Sequence, residues 1–228
     1  MNPFRNKKSE IFADTPKASR ISNGMRVLIG TPIHVSKDYS MERWLKNVAA
    51  MEYPADLLLV DNSPGLDYVE KVKGYCKKYK IMNYTLKHLE LPSEQKGDER
   101  IARSREIIRK EILSHDYDCW FDWESDQIIP ADALDKLVKI MEAGNCMMIV
   151  HNNGIRQIPG ATGFDLGIAL VKRECLKKYS FILEFGTDPD MPDNWDAGDQ
   201  WYKKRLLRDG GSYIDAIGVF GFMFHLDK

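Results

Sequence analysis

At 228 residues with 43% hydrophobic content, the chain is long enough for one well-filled domain and short for two. Its net charge of −1 argues against nucleic acid as the main partner, because phosphate binding requires a concentrated basic face. No run approaches the roughly 18 apolar residues that cross a bilayer, and no signal-peptide core opens the chain, so the sequence reads as soluble and cytoplasmic.

Residues 1–24 mix Pro, Ser, Asn and Lys without periodicity and read as a flexible basic arm, with a single domain over 25–228. Over residues 1–26, Arg5, Lys7, Lys8, Lys17, Arg20 and Arg26 outnumber Glu10 and Asp14. The surplus suits peripheral contact with anionic lipid, a solvated tail being the simpler reading. Val27-Leu28-Ile29 reads as a first strand that runs into a loop at Gly30-Thr31-Pro32. Trp44, Leu45, Val48 and Met51 form a helical stripe behind Ser40 as N-cap. Leu57-Leu58-Leu59-Val60 is a fully buried strand, and Asp61-Asn62-Ser63-Pro64-Gly65 is its turn. Strand, helix and strand at this spacing make a βα unit with a parallel partner.

Val69, Val72, Cys76 and Tyr79 give a second helix, residues 82–86 a third strand and residues 91–97 a polar loop. Asp98 then caps a helix with apolar Ile101, Ile108 and Ile112, leaving Arg103, Arg105 and Arg109 for its other faces. The helix delivers the chain to Cys119-Trp120-Phe121, a buried strand that ends in the carboxylates Asp122, Glu124 and Asp126 and is stopped by Pro130. In an extended segment Glu124 and Asp126 share a side and can address one hard divalent cation, whereas an isolated acid pair is more often a solvated turn.

Beyond Pro130, Leu134, Leu137, Val138 and Met141 mark a helix closed by Gly144, followed by a strand over 146–150. The second half is less regular. Residues 151–163 are rich in Asn and Gly, 164–171 are strand-like, 173–179 form a short helix and 183–198 an acidic loop. A helix over 199–209 stops at Gly210-Gly211, and 213–224 are strand-rich. Cys76, Cys119, Cys146 and Cys175 lack Cys-x-x-Cys spacing and read as buried free thiols.

The strand, Glu124-Ser125-Asp126 and Pro130 together resemble the Asp-x-Asp region of nucleotide-sugar glycosyltransferases of the GT-A fold, family 2-like, with Glu for the first Asp. Further pieces lie in the family's order over about residues 25–225. Val60-Asp61-Asn62-Ser63 resembles the second-strand signature whose acid binds the donor, although an Asx-turn fits Asp61 equally well. Ala102-Arg103-Ser104 resembles the Ala-Arg-Asn that precedes the metal motif. Gly198-Asp199-Gln200, with Arg205-Leu206 and Gly210, resembles the segment that carries the catalytic base, Gly198 standing where the family has an acid. A helix N-cap fits Asp199 equally well. His225 matches a terminal histidine that completes the metal site, whereas His34, His88, His115 and His151 have no comparable support.

The resemblance implies an α/β fold with a Rossmann-like, mostly parallel sheet, a nucleotide-binding N-terminal half and a less regular acceptor-binding C-terminal half. It implies Mn²⁺ or Mg²⁺ on Asp126, Glu124 and His225, and a donor lined by Thr31, Pro32, Asp61, Arg103 and Glu124. Asp199, or its rival Asp196, would be the base in transfer of a sugar from a nucleoside diphosphate to an acceptor hydroxyl, with inversion. A sugar nucleotidyltransferase is the enzymatic alternative, weakened by the absence of a Gly-rich phosphate loop after Gly30. A catalytically silent module that binds a glycan or a partner is the other.

Overall fold

The computed structural model describes residues 10–12, 24–151 and 166–227. Glu10–Phe12 forms a short strand, β1. The alternation read from the sequence then follows as β2 (Val27–Ile33), α1 (Asp38–Ala49), β3 (Asp56–Asp61), α2 (Asp67–Lys78), β4 (Tyr84–His88), α3 (Gly97–Ser114) and β5 (Cys119–Trp123). The second half supplies β6 (Gln127–Ile128), α4 (Ala133–Ala143), β7 (Met148–Val150), β8 (Ile168–Lys172), α5 (Arg173–Lys178), α6 (Gly198–Arg208), β9 (Tyr213–Asp215) and β10 (Phe224–His225). Most of the Asn- and Gly-rich 151–163 segment lies outside the described residues.

The main sheet has the order β1-β4-β3-β2-β5-β8-β7-β9, and β6 and β10 form a separate antiparallel pair. Strands β4, β3, β2 and β5 are parallel, so their carboxyl ends emerge along one edge. Ligands of open α/β sheets bind at such an edge. Strand β8 runs against β5, and β7 against β8, which returns the end of β7 to the same edge.

Alternation along β5 divides the core. Cys119, Phe121 and Trp123 face α1, α2 and α4, whereas Trp120 faces α3, α5 and α6. Trp123 packs on Trp44 of α1 at 5.0 Å between ring centroids. Fully buried residues such as Leu45, Leu59 and Phe121 each contribute about 1.5–3 kcal/mol. All four cysteines are free and buried.

Several boundaries differ from the sequence expectation, each for a local reason. Strand β2 does not stop at Gly30 but continues to Ile33, because its pairing with β5 ends at Gly30 while its pairing with β3 persists. Pro32, which has no N–H, is tolerated there because β5 no longer pairs alongside. Gly30 is required for another reason: a Cβ on it would sit 2.7 Å from Trp120 Nε1 and closer still to Ile108 of α3. Strand β4 begins two residues late because Lys80, at φ 55°, closes α2 and leaves Met82 exposed. Ser40 lies inside α1, donating to Lys37 O at 2.8 Å, and Asp98 lies in the first turn of α3 behind Lys96. Glu10–Phe12, read as part of the arm, pairs antiparallel with β4 and covers its open edge.

Candidate functional site

Three strand ends are stapled together at the edge where the parallel strands emerge. Asn62 N–H donates to Ile33 O at 3.0 Å, and Leu89 N–H to Asp61 O at 2.8 Å. Asp61 is completely buried beneath this junction. Its Oδ2 pairs with His88 Nδ1 at 2.7 Å, and its Oδ1 accepts from Ser63 N–H and Oγ at 3.1 and 2.6 Å. Ser63 Oγ in turn accepts from Val35 N–H at 2.8 Å, which ties the β2 loop to the β3 turn.

Above this floor opens a cleft of about 440 Å³, the size of a small-ligand site. Pro32, His34, Lys37, Arg100, Arg105 and Asp122 line it, with Glu124 and Ser125 at one side. Arg100 spends its guanidinium on backbone carbonyls, those of Gln95, Asn62 and Pro92, at 2.9, 3.0 and 2.9 Å. Burial, followed by the Arg100 charge, pushes His34 below the usual imidazole range, so a neutral ring faces the cleft.

After β5 the chain turns, with Gln127 N–H donating to Glu124 O at 3.2 Å. Glu124 and Asp126 therefore meet through a turn, not through the extended alternation expected from sequence. Strand β10 pairs with β6, and Leu226 N–H donates to Asp126 O at 2.7 Å, which carries His225 to the same place. One ligand atom from each of Glu124, Asp126 and His225 lies within 4.8 Å of the others. Asp126 is fully buried, and its Oδ1 accepts no hydrogen bond while facing His225 Nε2 at 3.6 Å. Its Oδ2 takes Lys37 Nζ at 2.6 Å and Tyr39 OH at 3.2 Å.

A second charged group lies deeper. Arg105, buried on α3, places Nε 3.0 Å from Asp122 Oδ2 and Nη1 2.6 Å from Asp199 Oδ1. Asp199 Oδ2 accepts Leu166 N–H at 3.0 Å. Burial pushes the Asp122 carboxyl up to about 8 against the opposing pull of Arg105, and neither of its oxygens has a hydrogen bond.

The structure thus brings together Glu124, Asp126 and His225, and it puts Pro32 on the cleft wall. Thr31 does not line the cleft: fully buried, it donates to Trp123 O at 2.9 Å. Asp61 likewise forms the floor and takes the Asx-turn geometry. Arg103 pairs with Glu99 at 2.7 Å and lies 5.8 Å from the Trp195 ring centre. Asp196, on a 3₁₀ turn (Trp195–Ala197), hydrogen-bonds Asp98, whose carboxyl is raised first by burial and then by this contact.

Lys37 and Arg100 were not singled out in the sequence, which set Arg105 on the non-apolar faces of its helix and gave His88 no support, whereas both are buried beside the site. Only Arg105 left a signal: it sits three and seven residues before the buried Ile108 and Ile112, a charge in phase with the buried face, whereas Ile101, expected on that face, is exposed at the cleft.

No family model and no curated protein matches the sequence. Solved structures do. A mannosyltransferase, PcManGT from Pyrobaculum calidifontis, in complex with GDP-Man and Mn²⁺, superposes with a TM-score of 0.64 at 16% identity, over 91% of this chain and 59% of that one. The apo glycosyltransferase GlyE of Streptococcus pneumoniae TIGR4 gives 0.52 at 16% identity, over 85% of this chain and 46% of its own. A fragment of S. aureus TarS in complex with UDP gives 0.55 at 15% identity, over 78% and 54%. The chain spans about half the length of these proteins. Among the described residues no helix is long and apolar enough to cross a membrane. Strand order, strand-end site and these superpositions agree on one architecture, and the chain has the GT-A glycosyltransferase fold.

Proposed function

We propose that the chain transfers a sugar from a nucleoside diphosphate held in the cleft to an acceptor hydroxyl. The observation that carries this reading is the convergence of Glu124, Asp126 and His225 beside the cleft, at the carboxyl ends of a GT-A sheet. The neighbours that hold GDP-Man with Mn²⁺, or UDP, support the same class of donor.

Two carboxylates and an imidazole suit Mn²⁺, and Mg²⁺ less closely. The fit rests on Asp126 Oδ1, a buried acceptor without a hydrogen bond beside His225 Nε2. A bound ion would act as a Lewis acid on the departing diphosphate. Lys37 and Arg100 add positive charge along the same wall, and Pro32 with the neutral His34 offers a surface for the nucleoside. Thr31 and Asp61 hold the floor in place, and Arg103 stands on α3 between Glu99 and Trp195.

Asp199 is the proposed base. It would take the acceptor's proton as that oxygen attacks the anomeric carbon opposite the leaving group, inverting the configuration. Arg105 and the Leu166 N–H fix its orientation. Asp196, set against Asp98, is the rival. The test is release of nucleoside diphosphate from UDP- and GDP-sugars with Mn²⁺. Turnover lost in Asp126→Ala supports the assignment, and turnover that survives chelation contradicts it.

A silent glycan-binding module draws support from Gly198 and from Asp199, both of whose oxygens are engaged. Product formed with any donor excludes it.

A further inference from the structure

Lys37 occupies the carboxylate that the proposed ion requires. We propose that Lys37 is a movable counter-ion: it neutralises Asp126 in the empty site and passes its ammonium to the donor diphosphate, so that donor and metal binding are coupled. The inference rests on reading the cleft as a nucleotide-sugar site.

A carboxylate with 1% of its side chain exposed needs a compensating charge. Lys37 Nζ supplies it at 2.6 Å from Oδ2, with Tyr39 OH at 3.2 Å on the same oxygen. A divalent cation on Oδ1 would then face an ammonium held by the same group. Two like charges on one buried carboxylate repel, so the ion binds better once the ammonium has moved.

Lys37 is the cation on this wall that is built to move. Arg105 is clamped between Asp122 and Asp199, and Arg100 is tied to three carbonyls at 2.9–3.0 Å. Lys37 carries a compact charge on a flexible four-carbon stem, with 37% of its side chain exposed. Its backbone is anchored, Lys37 N–H donating to His34 O at 2.9 Å and its carbonyl accepting from Ser40 at 2.8 Å. Only the side chain need swing, and it already lines the cleft. By linkage, whatever the diphosphate gains by taking the ammonium appears as tighter metal binding, and the reverse.

The experiment is Mn²⁺ binding, read from the free-ion electron paramagnetic resonance signal, on wild type, Lys37→Met and Lys37→Arg. Each is measured alone and with UDP or GDP, and nucleotide binding is measured separately in chelator. Thermal unfolding verifies that each variant is folded. Lys37→Met is expected to bind Mn²⁺ alone about tenfold more tightly than wild type, and the nucleotide in chelator about tenfold more weakly, within the usual 5–150-fold range of coupling. Opposite signs for the two ligands are not what a merely structural lysine produces. Lys37→Arg keeps the charge on Asp126 and should bind Mn²⁺ no more tightly than wild type.

Mn²⁺ affinity unchanged or weakened in folded Lys37→Met overturns the counter-ion while leaving the metal site standing. A gain in Lys37→Arg equal to that in Lys37→Met overturns the charge argument. No Mn²⁺ binding by any of the three proteins, with or without nucleotide, overturns both this inference and the metal assignment beneath it.

Discussion

His225 Nε2 stands 3.6 Å from Asp126 Oδ1, although Asp126 follows the central strand β5 and His225 lies in β10, three residues from the last. The β6–β10 pair is the device that joins them, and β10 thereby becomes part of the candidate site.

His225→Ala should therefore lower Mn²⁺ affinity by about tenfold or more, since even outer partners of metal ligands are worth about 10–100-fold. The β6–β10 backbone pairing does not depend on the ring, so circular dichroism should be unchanged. A Mn²⁺ titration of the variant decides it, and unaltered affinity would remove His225 from the ligand set.

Arg105 bridges the buried Asp122 and the partly exposed Asp199. Arg105→Met leaves Asp199 without its counter-ion and the buried Asp122 carboxyl without its partner, and should cost about 3–5 kcal/mol in urea unfolding. Adding Asp122→Asn should restore part of that loss, with a coupling of about 0.5–3 kcal/mol. Strict additivity would show that the pair is not energetically linked.

His151, 8% exposed, stacks on Phe220 with centroids 4.1 Å apart and planes at 7°. Burial lowers its pKa below the ordinary 6.5, with Asp215 opposing. The folded state then binds this proton less readily than the unfolded chain. Its contribution to stability is present above about pH 6.5 and lost as pH falls through the lowered folded value. His151→Phe should flatten that acid limb in thermal melts between about pH 7 and 5, and an unchanged limb would place the effect elsewhere.

Gly30→Val should destabilise by at least about 1–3 kcal/mol, the usual cost of overpacking, because α3 and the Trp120 ring occupy the space of any side chain. Equilibrium denaturation measures it directly. A neutral result would mean that α3 can lift from the sheet.

The parallel half of the fold was legible because its strands are buried on both faces and read as continuous apolar runs, as in Leu57-Leu58-Leu59-Val60. Glu124, Asp126 and His225 were legible as a set through their order along the chain, but the reason given for the first two was wrong: a turn, not strand alternation, brings them together. Asp61 and Thr31 carried the right pattern yet lie under the cleft, since a motif shows which residues occur together and not which oxygen is already bonded. Lys37 left no trace, because a lysine on a 3₁₀ turn (Val35–Lys37) resembles any solvated lysine until the fold sets it 2.6 Å from Asp126. The second half has short strands of two to five residues and a long acidic loop, so periodicity had little to act on there.

The central claim is a metal-dependent nucleotide site at Asp126. The most direct measurement is thermal unfolding of wild type and Asp126→Asn with UDP, GDP and their sugars, in Mn²⁺ and then in chelator. At 100 times its dissociation constant a ligand adds about 2.7 kcal/mol, a rise of roughly 5–10 °C for a chain of this size. The account predicts such a rise for at least one nucleotide in wild type with Mn²⁺, reduced in chelator and in Asp126→Asn. A rise of equal size in chelator, or in Asp126→Asn with Mn²⁺, would contradict it.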